Sequence, residues 1–506
     1  MPIPRIITLA AAAIIAAAPC AAQTPAPGSA DFDAYVTRTM RDWQVPGVAI
    51  AVVRDDSIVF AKGYGVRELG KPEPVTPHTL FAIGSATKAF TATLTAMLVS
   101  DGKLRWDDPV TRWLPWFQLS DPYVTRELTV RDVLAHRSGL GRSGDLLWYA
   151  TTMPRDTILW RLRFIDRRWQ FRASFEYSNL GYLTAGEIAA HATGKSWDDL
   201  LRERIFAPLG MTSTSTSISA LRGAGDVASN HIIIRDTLQV LPYRNLDNIG
   251  PAGSINSNVL DLAKWVRFQL DSGRSNGRAL VDAAVLDETH QSQMPLSRIT
   301  LERRYPAGHS ISYGMGWFLS DYRDRKLVEH SGAIEGMTAE VALLPEEKLG
   351  VVVLTNAAAL DVPYALMFRA LDGYLRAPAR DWSGEWLARR DEQRRRSAER
   401  SAKMSAAPKS ATSPSLALAQ YAGTYSDSAF GEAKVSLEDG KLVLRYGVMT
   451  ADLEHWRYDT FRAVWRQWHG IVGFVDFSLN RDGEVSRMNV EQFADFVRVP
   501  ERKAGR

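Results

Sequence analysis

The chain has 506 residues, 45% of them hydrophobic, with 15 Trp, 18 Phe and a net charge of +4. That length predicts two or three domains with sizeable cores. So mild a charge, with no basic face interleaved with aromatics, argues against nucleic-acid binding. The single cysteine is Cys20, so the chain beyond it has no disulfide, thiolate nucleophile or cysteine metal site.

Arg5, the apolar run 6–18 and the small residues Cys20-Ala21-Ala22 read as a secretion signal over 1–22, cut before Gln23. Lipoprotein processing at Cys20 is the alternative, and Pro19 fits it poorly. The run is short for a bilayer span, and no later stretch looks transmembrane. The expectation is a soluble protein, secreted or periplasmic. Residues 23–30, rich in Pro, Ala and Gly, are expected to be a disordered leader.

Residues 48–63 read as two strands around Arg54-Asp55-Asp56. After Ser85 the run 89–98 is small and apolar, broken only by threonines, which marks a buried helix. Residues 155–172 predict a long amphipathic helix or helix pair. Leu262, Trp265, Val266 and Leu270 share one helical face. Residues 341–344 and 351–354 flank a turn and predict a hairpin. Strands, a helical middle and strands again suggest one sheet assembled from both ends of a domain over 31–378, with helices packed on it. Residues 379–415 read as a charged helix and an Ala/Ser/Pro linker. Residues 416–503 carry short alternating segments and the hairpin signals Asp439-Gly440 and Asp482-Gly483, which predict a small β-barrel.

Three short patterns carry the chemistry. Ser85-Ala-Thr-Lys88 sits at a helix start. Residues i and i+3 share a helix face, and a lysine whose charge is disfavoured is a candidate base for a serine nucleophile. Backbone N–H groups at a helix start also help to hold an oxyanion. A second copy, Ser100-Asp-Gly-Lys103, is broken by its glycine and reads as a helix stop. Tyr177-Ser-Asn179 is the second pattern: a tyrosine near an ammonium ionises more readily, and asparagine offers a donor and an acceptor. Tyr243-Arg-Asn245 is its rival in a polar loop. The third is His330-Ser331-Gly332, followed by Ala333, whose N–H is a candidate for the oxyanion hole. There the glycine permits close backbone approach to a ligand, and the histidine is a candidate donor to a substrate carboxylate or an aid to proton movement.

In this order the three patterns resemble the serine β-lactamase and penicillin-binding protein superfamily, in its class C β-lactamase, D-Ala-D-Ala carboxypeptidase, D-aminopeptidase and esterase branch. The resemblance extends to Thr129-Val-Arg-Asp-Val-Leu-Ala-His136 and Gly250-Pro-Ala-Gly-Ser254, and the C-terminal part is similar to a lipocalin-like barrel appended to some members. It implies an α+β/α/β fold: an antiparallel sheet flanked by helices, plus an all-helical subdomain, then the barrel. It implies Ser85 as nucleophile, with Lys88 and Tyr177 sharing the proton traffic in an order left open. It also implies substrate binding by Asn179, His330, Ser331, Gly332 and Ala333, without metal or cofactor. Many β-lactam-hydrolysing members carry a lysine where this chain has His330, and lysine is a fixed cation suited to the antibiotic's carboxylate. A peptidase, amidase or esterase acting through an acyl enzyme is therefore expected ahead of a β-lactamase. A non-catalytic penicillin-recognising sensor is the alternative of another class. Gly273-Arg-Ser-Asn-Gly277 fits a nucleophile elbow, but a helix rather than a strand precedes it, so it reads as a polar turn. His136 is expected to be structural. His455, Trp456, Trp465, Trp468 and His469 are candidates for a ligand cavity in the barrel. The partner expected is a small-molecule or peptide substrate; the sequence is silent on oligomeric state.

Overall fold

The computed structural model describes residues 23–500 apart from 235, 301–307, 406–411, 467–471 and 492. The expected signal segment 1–22, Trp468 and His469 lie outside the described residues.

An eight-stranded antiparallel sheet is built from both ends of the first domain. Its strands are β1 (Gly47–Arg54), β2 (Ser57–Gly65), β3 (Met294–Pro295), β4 (Ile311–Tyr313), β5 (Phe318–Tyr322), β6 (Arg325–Ile334), β7 (Met337–Leu344) and β8 (Leu349–Thr355), in the order β2-β1-β8-β7-β6-β5-β4-β3. Both faces are covered. Along β1, Val48, Ile50 and Val52 pack under α1 (Ala30–Trp43), while Ala49, Ala51 and Val53 point to the opposite core. Alternation of side chains across a strand sends the two sets to opposite layers. The small residues face the helix-rich side, where α2 (Thr87–Ser100) is buried over most of its length.

α3 (Asn179–Thr193) and α4 (Val259–Leu270) complete that layer. The middle of the domain is not wholly helical. Phe81–Ala82 pairs with Asn256–Ser257, and Asn230–Ile234 pairs with Thr237–Leu241. The helix expected over 155–172 stops early, at Arg161, followed by one 3-10 turn over Leu162–Phe164. The chain must double back there: Arg172, in the left-handed region at φ 59°, donates its N–H to Arg137 O, and Glu176 N–H donates to His136 O. Gly273–Gly277 falls in a polar hairpin in which Arg274–Ser275 pairs with Arg278–Ala279 around Asn276-Gly277.

Residues 23–29 are not the free leader their composition suggested. Thr24 is buried and its N–H donates to Ala377 O at 2.8 Å, with Gln23 bridged to Pro378. Gly373 on α5 (Asp361–Tyr374) leaves the room for Ala26, whose Cα would lie 2.6 Å from a Cβ there.

α6 (Trp382–Ser405) begins packed, with Trp382 and Trp386 buried against α5, and continues in exposed ion pairs such as Glu392 with Arg395 and Arg396. Beyond it, β9 (Gly423–Asp427), β10 (Gly431–Glu438), β11 (Lys441–Tyr446), β12 (Met449–Arg457), β13 (Thr460–Trp465), β14 (Val472–Leu479), β15 (Val485–Val490) and β16 (Ala494–Arg498) close into a barrel through β9 and β16. Among the described residues, two turns of the barrel are hydrogen-bonded to the first domain. Val448 N–H donates to Ala150 O at 2.9 Å, and the Arg161 guanidinium donates to Ala429 O at 2.7 Å. Among the described residues no helix is long and apolar enough to cross a membrane.

Candidate active site

Ser85 lies in a 3-10 turn, Gly84–Ala86, that leads straight into α2. Gly84 holds φ 52°, and a Cβ there would lie 2.8 Å from Ala333 N. The turn is therefore pressed against the end of β6, which brings the Ala333 N–H beside the turn that carries Ser85. Gly332 serves the same contact: a Cβ on it would sit 1.8 Å from Ile83 O. The close approach expected of this glycine is to a ligand; what its missing side chain admits is the backbone around Ser85, from Ile83 to Ala86.

The i, i+3 spacing puts Lys88 Nζ 3.0 Å from Ser85 Oγ. Nζ also donates to Asn179 Oδ1 at 2.9 Å and Ala252 O at 2.8 Å. Lys88 is fully buried. Burial, helped by the positive charge of Arg142, pushes its pKa well below the usual lysine value, and Asp145 opposes this only in part. Tyr177 places its ring centroid 4.6 Å from Nζ and 5.1 Å from the Arg142 guanidinium. Asn179 is the first residue of α3, behind the N-cap Ser178, whose hydroxyl accepts from Gly181 N–H.

His330 lines the cavity, but its ring nitrogens face the protein. Nδ1 lies 2.6 Å from Ser331 O, an acceptor only, so Nδ1 carries the proton; Nε2, 3.1 Å from the Tyr313 hydroxyl, accepts from it. The donor expected for a substrate carboxylate is therefore already engaged. His136, for which a structural role is expected, is buried, accepts Ser178 N–H on Nδ1 at 2.9 Å, and places its ring centroid 4.4 Å from that of Tyr177 at a tilt of 31°. Burial pushes its pKa well down, and Lys88, His330 and Arg142 add to this. Tyr243, the rival tyrosine, donates to Ala228 O at 2.6 Å. In the barrel His455 is exposed, its Nε2 at Tyr458 O; Trp456 packs on Phe474 and Trp465 on Phe493. Phe461, Phe477, Met488 and Phe496 are buried there.

Ser85, Tyr177, Asn179, His330, Ser331 and Ala333 open onto one cavity of about 630 Å³. Trp148, Leu246, Ile249, Phe318 and Ile334 give it an apolar wall. Four further residues at the site were not singled out from the sequence. Asp145 accepts from Asn179 Nδ2 at 3.2 Å and from Trp148 Nε1 at 2.9 Å, and burial pushes its carboxyl pKa up. Arg142 lies 3.6 Å from Asp145. Arg244 pairs with Glu335 at 2.8 Å and donates to Tyr149 O at 2.9 Å, closing the rim. None stands at a diagnostic spacing from the three motifs. The one signal was the Asp/Arg-bearing loop 141–149 between the first two motifs. Behind it, Asp132 ties helix Val130–Leu134 to the returning loop through Arg137 and Arg172. Burial raises its carboxyl pKa, but hydrogen bonds from Arg172, Thr129 and Arg137 outweigh this and hold it below the usual range. Among the described residues no group of three His, Cys, Asp or Glu is placed to hold a metal ion.

Residues 32–374 match the beta-lactamase family, and residues 407–500 match a domain of unknown function, DUF3471. Unguisins hydrolase ungD' of Aspergillus campestris is 30% identical over 439 residues, covering 82% of this chain and 79% of its own length. The octameric penicillin-binding protein homologue from Pyrococcus abyssi superposes with a TM-score of 0.62 at 22% identity, covering 92% of this chain and 99% of that one. D-amino acid amidase from Ochrobactrum anthropi SV3 superposes with a TM-score of 0.57 at 26% identity, covering 68% and 99%. With Ser85 and Tyr177 lining one cavity and Lys88 buried behind Ser85 on its hydroxyl, the chain belongs to the beta-lactamase family and is a serine hydrolase of the β-lactamase and penicillin-binding protein type.

Proposed function

We propose that this protein is an exported amidase or peptidase that cleaves peptide-like substrates through an acyl enzyme on Ser85, with a bulky apolar group on the acyl side. The observation that carries this reading is the buried Lys88, held 3.0 Å from Ser85 Oγ. In its neutral form the amine keeps two N–H groups on Asn179 Oδ1 and Ala252 O, and its lone pair faces the serine hydroxyl. Ser85 Oγ attacks the carbonyl carbon while its proton passes to Lys88. The N–H groups of Ser85 and Ala333 receive the oxyanion. Tyr177 then gives a proton to the leaving amine as the C–N bond breaks, and Lys88 restores it. Water releases the acyl group by the reverse path.

The apolar wall of Trp148, Leu246, Ile249 and Ile334 suits a large hydrophobic side chain. A similar protein named as a hydrolase and another named as a D-amino acid amidase support hydrolysis of amides, with D-residues the configuration to test first. Esters are the second class. A β-lactam is disfavoured because His330 presents no fixed cation.

A panel of D-Ala-terminated peptides, D-aminoacyl amides with small and large side chains, p-nitrophenyl esters and nitrocefin tests the reading. The expected order places amides of bulky apolar residues first, each turnover lost in Ser85→Ala. Nitrocefin as the fastest substrate would replace this reading with a β-lactamase. Export is checked by the mass of the mature protein, expected to start at Gln23.

A further inference from the structure

The Asn179 side chain can sit either way round, because its oxygen and its NH2 have nearly the same shape. The choice matters for the base. With the oxygen toward Lys88, a neutral amine donates to it and keeps its lone pair for Ser85. With the NH2 toward Lys88, the amide donates into that lone pair and the base is quenched.

Lys88 alone does not settle the orientation once it is neutral, since an amine both donates and accepts. The other end of the amide meets Asp145, 34 residues before it in the chain. Each carboxylate oxygen of Asp145 faces donors: Oδ1 takes Trp148 Nε1–H, and Oδ2 takes Asn179 Nδ2–H with Arg142 3.6 Å away. Only 17% of the side chain is exposed, so water competes little for these contacts. A flipped Asn179 would turn its oxygen onto this acceptor. We propose that Asp145 is a positioning residue of the acylation step: its carboxylate locks the Asn179 oxygen toward Lys88, so that the amine's lone pair stays aimed at Ser85.

The inference rests on Ser85 and Lys88 acting as nucleophile and base, and it makes an unusual ranking of variants. In Asp145→Asn, the oxygen retained by Trp148 leaves the new NH2 facing Asn179, which favours the flipped amide. In Asp145→Ala, no partner enforces either orientation. The expected result is a fall in the acylation rate constant of about 100-fold for D145N, the lower end of the range for a lost base, and of about 10-fold for D145A. The measurement is single-turnover acylation by a p-nitrophenyl ester, beside thermal melting. In an N179A background D145N should then add less than about two-fold.

A purely structural role predicts the opposite ranking, with D145A the worse and its loss following its melting temperature. A purely electrostatic role predicts a third pattern. Loss of the negative charge would lower the Lys88 pKa, moving the acid limb of the pH profile to lower pH with the plateau rate unchanged. Either result overturns the proposal. Failure of a fluorophosphonate to label Ser85 in the wild-type protein would sink the nucleophile reading itself, and the proposal with it.

Discussion

Lys88 sits where a charge is most costly, inside a wall of rings and carbonyls. The Tyr177 and Tyr182 ring centroids lie 4.6 and 5.5 Å from Nζ, and water does not reach it. Burial disfavours the ammonium, and the Arg142 charge disfavours it further. A neutral lysine is thereby available well below the pH at which lysine usually deprotonates. The sign for activity follows directly. Rate is retained above the Lys88 pKa and falls as pH drops through it, because a protonated lysine cannot accept the serine proton. In Lys88→Arg the base is never neutral, so acylation should fall by at least about 100-fold across the whole pH range. A K88R enzyme that regained full rate at high pH would remove Lys88 from the role of base.

The element that decides the site's geometry is the meeting of β6 with the Gly84–Ala86 turn. Both pieces are held from behind: β6 pairs with β7 through Gly332 and Ala333, and α2 is buried behind the turn. Gly332→Ala would press a methyl to 1.8 Å from Ile83 O and part the two. The expected cost is about 1–3 kcal/mol of stability, as for overpacking, with a larger fractional loss in kcat than in KM as Ala333 N–H leaves the oxyanion position. Thermal melting and steady-state kinetics check both parts. This contact also shows what the sequence made legible. Helical spacing singled out Ser85 and Lys88 only as candidates, with a second copy at Ser100; the resemblance across all three patterns is what set Tyr177 and Asn179 beside them. At Gly332 the residue type points to a close approach, expected to be to a ligand, whereas the group that approaches is Ile83 O of the protein itself, a tertiary fact. Asp145, Arg142 and Arg244 join the site through loops, with no period to mark them. The helix expected over 155–172 failed for a related reason: its apolar spacing is real as far as Leu162, but the chain then turns back to His136.

At the scale of the molecule, the barrel is tied to the wall of the cavity. Val448 N–H bonds Ala150 O, directly after the cavity-lining Trp148 and Tyr149. Gly447 makes this fit, with φ 53° and only 2.0 Å between a would-be Cβ and Ala150 O. Gly447→Val should push the two domains apart at that turn. We expect unchanged labelling of Ser85 by a small fluorophosphonate and a KM for bulky amides raised about 10-fold, equivalent to about 1.4 kcal/mol. Equal KM values in the variant and wild type would show that the turn does not shape the cavity. The barrel's strand pattern and its Asp-Gly turns were readable in the sequence, whereas its docking was not, because it depends on a glycine conformation and one backbone carbonyl. The order in residues 23–29 was hidden in the same way, since it comes from a bridge to Ala377 and Pro378.

The most direct test of the account is the mass of the protein trapped during turnover. Wild-type protein, mixed with excess substrate from the fastest class of the panel and quenched in acid, should carry one acyl group on the peptide containing Ser85. Ser85→Ala should carry none and retain less than about 1% of the activity, in line with loss of a nucleophile. An adduct on another residue, or turnover in the variant above that level, would contradict the assignment of Ser85.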